Sequence, residues 1–308
     1  MAVPRDYRLI NACIAAYHID DNGNLDPHAP GYGQIGLKGP PQGFVAGELD
    51  IDACFVGETT DNYVILAFRG TRPPTQGGNP LDWILDWLQD FELGPTPWLV
   101  NGKSYGQVEG GFAAAMLALW PRVKLALDKI DLKSKAGFWI TGHSKGGSLT
   151  ALAATLVAAA YPGIAPQIVA FAPAMACDED FQTLYENQGL DDATLRYQNE
   201  CDIVPYMPVV FTAKSAIQNA QIIAGVLARA KGTTLAKISL LEYEPLGSLD
   251  YIDFDESTGK YSIVTGWKGE IDGIAAIASA LLHGQFSTIV EAHAASGGYL
   301  ECFGIPTV

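Results

Sequence analysis

The stretch FWITGHSKGG at 138–147 decides the fold. Its first four residues form an apolar, strand-favouring run, and residues 144–160 beyond the turn read as an alanine-rich helix. Between them, Gly142-His143-Ser144-Lys145-Gly146 fits G-x-S-x-G, the sharp strand-to-helix turn that presents a serine nucleophile. The requirement is steric. The turn forces the serine into a strained backbone conformation, and only glycine at the flanking positions leaves room for the helix to approach the strand. Ser144 then stands at a helix N-terminus, where backbone N–H groups favour developing negative charge. His143 adjoins it in sequence, so its side chain projects elsewhere and reads as structural.

Working outward, helical and strand patterns alternate. Leu9, Ile10, Cys13, Ile14 and Tyr17 recur at helical spacing within 7–19, and a Gly/Pro-rich loop spans 20–43. Strands are predicted at 51–57, 63–68, 138–141, 167–172 and 194–198, with shorter ones at 238–243, 251–254 and 261–264. The last two suggest a hairpin turning at Ser257-Thr258-Gly259. Helices are predicted at 81–91, at 112–130 with Pro121 bending or interrupting it, and at 214–230. This order predicts an α/β fold, a mostly parallel central sheet flanked by helices. No repeat and no long polar linker divides the chain, so 1–308 is expected to form a single domain.

Composition narrows the function. Lys and Arg number 19 against 34 Asp and Glu, a formal charge of −15 over 308 residues, with 48% hydrophobic and 17% charged residues. That hydrophobicity excludes a disordered chain. The acidity argues against a nucleic acid partner, which wants a basic patch, and against tight docking on an anionic membrane. The N-terminus MAVPRDYRLI shows no secretory signal, and no apolar run is long enough to span a bilayer, so a soluble chain is expected. A monomer is the expected state, and the compartment is left open. Cys13, Cys54, Cys177, Cys201 and Cys302 show no CxxC pair and read as free thiols, with one or two disulfides the alternative in a secreted protein. No metal or cofactor is expected.

A serine hydroxyl needs a histidine to take its proton, and that histidine needs a carboxylate to hold its tautomer. Two histidines follow Ser144 at a useful distance, His283 and His293. His283 ends an apolar helical run, so His293 is the favoured base. Asp202 follows the strand TLRYQN and so stands at the carboxyl edge of the sheet, where α/β active sites form. Asp178, Asp180, Asp191 and Asp192 sit in polar stretches and read as solvated, and Asp250, Asp253 and Asp255 belong to the later hairpin region. Oxyanion donors are expected from the Lys145 backbone and from the strand end AFRGT at 67–71, through Thr71.

In order along the chain, AFRGT at 67–71, DWILDW at 82–87, VEGGF at 108–112, ITGHSKGG at 140–147, NECDIVPYMP at 199–208 and IVEAHAASGGYL at 289–300 resemble the class 3 lipase family. These are α/β-hydrolases that include fungal triacylglycerol lipases and feruloyl esterases. The resemblance implies Ser144 as nucleophile, Asp202 as acid, His293 as base and Thr71 as an oxyanion donor. It also implies a lid over residues 72–98, whose Trp83, Trp87, Leu88, Phe91 and Trp98 would cover an acyl groove or pack in the core.

The chain departs from the family pattern in three places. Glu109 stands where a histidine is usual, and Lys145 where an apolar residue is usual; the two are expected to neutralise each other. The 91 residues from Asp202 to His293 exceed the family's usual spacing, which predicts an insertion at about 210–265. The function implied is a lipase-type serine ester hydrolase acting on acylglycerols or related neutral esters, with transient contact at a lipid interface. An esterase, phospholipase or feruloyl esterase using the same triad, or a lipase-like binding domain without catalysis, are the alternatives. The charge of −15 favours neutral esters over anionic phospholipids.

Overall fold

Among the described residues, ten strands run, in chain order, as β1 (Gln42–Ala46), β2 (Asp52–Glu58), β3 (Tyr63–Phe68), β4 (Pro95–Val100), β5 (Lys103–Glu109), β6 (Gly137–His143), β7 (Gln167–Phe171), β8 (Thr194–Asn199), β9 (Ser248–Asp255) and β10 (Lys260–Thr265). The helices are α1 (Arg5–Ala16), α2 (Tyr32–Ile35), α3 (Gly110–Leu127), α4 (Lys145–Ala160), α5 (Glu179–Asn187), α6 (Trp267–Leu282), α7 (Phe286–Ala292) and α8 (Gly298–Glu301). This computed structural model describes residues 4–47, 52–72, 94–207, 243–255 and 257–303.

Eight strands form one sheet in the order β1-β2-β3-β6-β7-β8-β9-β10. The steps from β3 through β6, β7 and β8 to β9 are parallel, whereas β1, β2 and β10 add antiparallel pairings at the two edges. The expected α/β fold is therefore a mixed sheet, parallel where the elbow lies. Its middle strands are buried on both faces, as crossover helices require. Along β3, Val64, Leu66 and Phe68 pack into one core with α3 and α4, while Ile65 and Ala67 pack into a second with α1.

Several expectations need revising. Helix α3 runs unbroken through Pro121, which lies on its exposed side where a missing N–H is cheap. The β4–β5 hairpin lies where the two prolines of PTP at 95–97 obscured a strand. Helix α5 is capped by Asp178, whose carboxylate accepts from Phe181 N–H, so that aspartate is not merely solvated. Of the stretch 210–265, the described residues from 243 onward supply β9 and β10, which extend the central sheet as the expected hairpin. The helix predicted at 214–230 lies outside the described residues. So do Trp83, Trp87, Leu88 and Phe91 of the expected lid.

Trp98 is described, and it belongs to the core. It is 1% exposed, and its indole N–H donates to Thr155 Oγ1 at 2.9 Å on α4. All five cysteines are free thiols. No helix among the described residues is long and apolar enough to cross a membrane. Replacing Trp98 with Ala should lower unfolding stability by about 3–5 kcal/mol in urea titrations, the usual cost of emptying a buried aromatic site. A loss under about 1 kcal/mol, as for a surface substitution, would return Trp98 to a movable cover.

Candidate active site

The turn at the end of β6 behaves as its sequence demands. Ser144 has φ 59° and ψ −130°, a region that L-residues seldom enter. A Cβ on Gly142 would lie 2.1 Å from Gly146 O, and one on Gly146 would lie 2.5 Å from Phe68 O. Neither position can hold a side chain. Gly70, at the end of β3, is equally confined: its Cβ would sit 2.6 Å from His143 O and 3.0 Å from Ser144 Cβ. The turn carrying Thr71 is therefore pressed against the elbow. Ser144 N–H donates to Phe171 O at 3.0 Å, which fixes the turn to β7.

Ser144, His293 and Asp202 form one hydrogen-bonded chain. Ser144 Oγ lies 2.8 Å from His293 Nε2, and His293 Nδ1 lies 2.9 Å from Asp202 Oδ2 and 3.1 Å from Oδ1. All three are buried. With Nδ1–H donating to the carboxylate, Nε2 is left as the acceptor for the serine hydroxyl. His293 follows α7, while His283 is exposed at the end of α6 with its Nδ1 at Ser279 O. The structure thus brings His293, not His283, to the serine.

Asp202 is completely buried, so its oxygens need donors. Besides His293 it accepts from Val204 N–H at 2.9 Å and from the Tyr299 hydroxyl at 2.6 Å. Tyr299 in turn accepts from Asn199 N–H at 2.9 Å, and Asn199 Nδ2–H donates to Ala292 O beside His293. These two residues couple the turn after β8 to the loop after α7. The sequence reading passed over both; the only signal for Tyr299 was its place at the end of the stretch that contains His293.

His143 is structural in a more intimate sense than expected. Its ring packs 4.8 Å from that of His293 at 38°, and its Nδ1 lies 2.8 Å from the hydroxyl of Tyr17 on the chain just after α1. Burial, and then the neighbouring His293, push His143 well below the usual histidine range. Thr71 is exposed, and with Tyr17, Arg72, His143, Val290 and His293 it lines a cleft of about 640 Å³. Lys145 opens α4 directly after Ser144, but its side chain does not meet Glu109. Lys145 Nζ lies 2.7 Å from Asp52 Oδ1, and the Glu109 carboxylate instead caps α3 by accepting from Phe112 N–H. The expected neutralisation of those two residues is therefore wrong: a helix N-terminus took the glutamate and β2 supplied the lysine's partner.

The serine on this elbow, hydrogen-bonded to a histidine and an aspartate at the carboxyl edge of the sheet, lies on an α/β-hydrolase fold. More narrowly, residues 65–212, just under half of the chain, match the family model described as Lipase (class 3). Similar solved structures include the Rhizomucor miehei lipase propeptide complex, with 16% identity and TM-score 0.63 over 93% of this chain and 77% of that one. The mono- and diacylglycerol lipase from Aspergillus oryzae is 18% identical, with TM-score 0.56 over 89% of this chain and 93% of its own. Lipase II from Rhizopus niveus is 15% identical at TM-score 0.59, covering 85% of this chain and 83% of its own. At these identities the structures bear on the fold, while the family match supports a lipase-type ester hydrolase. No curated protein sequence matches the chain.

Tyr299→Phe should strip a donor from buried Asp202 and an acceptor from Asn199 N–H, lowering unfolding stability by about 1–3 kcal/mol. Unchanged urea midpoint and slope would show that the hydroxyl bears no load. Below about pH 6.5 the unfolded chain binds a proton on His143 that the folded chain refuses, so stability must fall as pH falls. His143→Gln should therefore show a shallower loss between pH 7 and 5 than the parent, by up to about 1.4 kcal/mol per pH unit. Parallel stability–pH curves would contradict the depressed protonation of His143.

Proposed function

We propose that the protein is a serine carboxylester hydrolase of lipase type, with 1–308 acting as a single domain and neutral fatty-acid esters such as acylglycerols as substrates. The observation that carries this reading is the 2.8 Å contact between Ser144 Oγ and His293 Nε2 on a backbone strained at φ 59°. Ser144 Oγ attacks the ester carbonyl carbon while His293 takes its proton, and Asp202 holds the resulting imidazolium. The carbonyl oxygen becomes an oxyanion received by the Thr71 and Lys145 backbone N–H groups. When the tetrahedral intermediate collapses, the C–O bond to the alcohol breaks and the alcohol leaves with the proton from His293. The acyl group remains on Ser144. Water then attacks that ester, His293 again accepting and returning the proton, and the fatty acid is released.

The substrate class rests on the family match and on the acylglycerol lipases among the similar folds. It also agrees with the cleft beside His293, where Val290, Ala294 and Ala295 offer an apolar wall to a chain.

A p-nitrophenyl ester series from acetate to palmitate tests both parts. Ser144→Ala and His293→Ala should each lower kcat by at least about 10⁴-fold, while His283→Ala stays near the parent. Hydrolysis that survives in Ser144→Ala would sink the mechanism. A preference peaking at acetate, with none for long chains, would favour an esterase over a lipase.

A further inference from the structure

The lysine directly after the serine has a role in the geometry of the site. Lys145 is one-fifth exposed and Asp52, at the start of β2, is 6% exposed, so their 2.7 Å contact is largely removed from water. Burying two charges costs more than packing two apolar side chains of similar volume, so stability alone gives this pair little reason to exist. Its position supplies one. In the antiparallel β2–β3 register Cys54 faces Phe68, and Arg69 N–H donates to Ala53 O at 2.8 Å. Continuing that register by one residue sets Asp52 opposite Gly70, the residue before Thr71. The buried Arg69 guanidinium also feels the Asp52 charge. A single carboxylate thus faces both chain segments from which the oxyanion donors come, one through an ion pair and the other through the sheet.

We propose that Asp52 is a positioning residue that, through Lys145, locks the N-terminus of α4 against the Arg69–Gly70–Thr71 turn and so sets the spacing of the two oxyanion donors. The proposal rests on the hydrolase reading above. Lys145 then contributes twice, by its backbone N–H at the reacting oxygen and by its side chain through Asp52. The contacts at Gly70 and Gly146 set how near the two segments come, because backbone atoms stop further approach. The ion pair sets how far they part. Oxyanion donors act only when held at hydrogen-bonding distance from where the charge develops, so a small parting lowers turnover and leaves ground-state binding intact.

The test is kinetic, on the full chain with a p-nitrophenyl ester and an alkylboronic acid that forms a tetrahedral adduct on the serine. Lys145→Met should lower kcat roughly 10- to 100-fold, with KM within about threefold. Inhibition by the boronic acid should weaken by the same factor as kcat falls. Lys145→Arg, which keeps the charge, should recover kcat to within about threefold of the parent. Adding Asp52→Asn to Lys145→Met should cost little more, because both remove one interaction. If Asp52→Asn does not fold, the methionine and arginine variants still decide. A Lys145→Met enzyme whose kcat stays within about twofold of the parent, with only its thermal stability lowered and Ser144→Ala inactive beside it, overturns this inference alone. A parent protein that hydrolyses no ester overturns the hydrolase reading and this inference with it.

Discussion

The site depends on one packing constraint: the first turn of α4 rests directly on the ends of β3 and β6. Backbone meets backbone there, with Gly146 against Phe68 O, Gly142 against Gly146 O and Gly70 against His143 O. No methyl group fits at any of the three positions. The serine between these contacts is pushed to φ 59°, a conformation that costs on the order of 1–3 kcal/mol. The surrounding sheet and its two buried cores hold it there. The strain lifts the hydroxyl clear of the sheet edge and leaves the N-terminal N–H groups of the helix facing the same space.

The opposite wall of the site is held by a different device. His293 and Asp202 come from segments 91 residues apart, and neither segment is regular where it meets the serine. Asn199 and Tyr299 join them, with the tyrosine hydroxyl placed between a backbone N–H and the buried carboxylate. Gly298 makes this possible, since a Cβ there would lie 2.5 Å from Asn199 Nδ2. Such a network is worth more than its separate bonds, because every member would otherwise be a buried, unsatisfied polar group.

What the sequence made legible follows from how local each signal was. β3, β6, β7, α4 and the elbow are contiguous patterns, and the structure places them within a residue or two of their expected bounds. Asp202 and His293 could be singled out because chain order and strand ends constrain where an acid and a base can stand. Lys145 was assigned the wrong partner because an ion pair across strands depends on register, which the residues of neither strand announce. Asp178 looked like one more solvated carboxylate because capping is a property of the backbone that follows it. Trp98 was grouped by resemblance with the lid aromatics, which could either cover a groove or pack in the core, and its indole N–H, donating to buried Thr155, decides for the core.

The same distinction between local and summed properties applies to charge. A total of −15 suggested a repulsive field against anionic substrates. Fields at a site are set by the charges within about 8 Å at physiological salt, and more distant exposed ones are screened. Among the described residues, the strand end and helix start that meet at Ser144 carry Arg69, Arg72 and Lys145, opposed by Asp52 and by Asp21, 3.6 Å from Arg72. Asp202 behind His293 and Glu291 in the cleft wall add two more carboxylates, so these charges nearly cancel and the neighbourhood is far less acidic than the chain as a whole. Such a balance would suit the proposed hydrolysis, in which negative charge develops transiently on an ester oxygen.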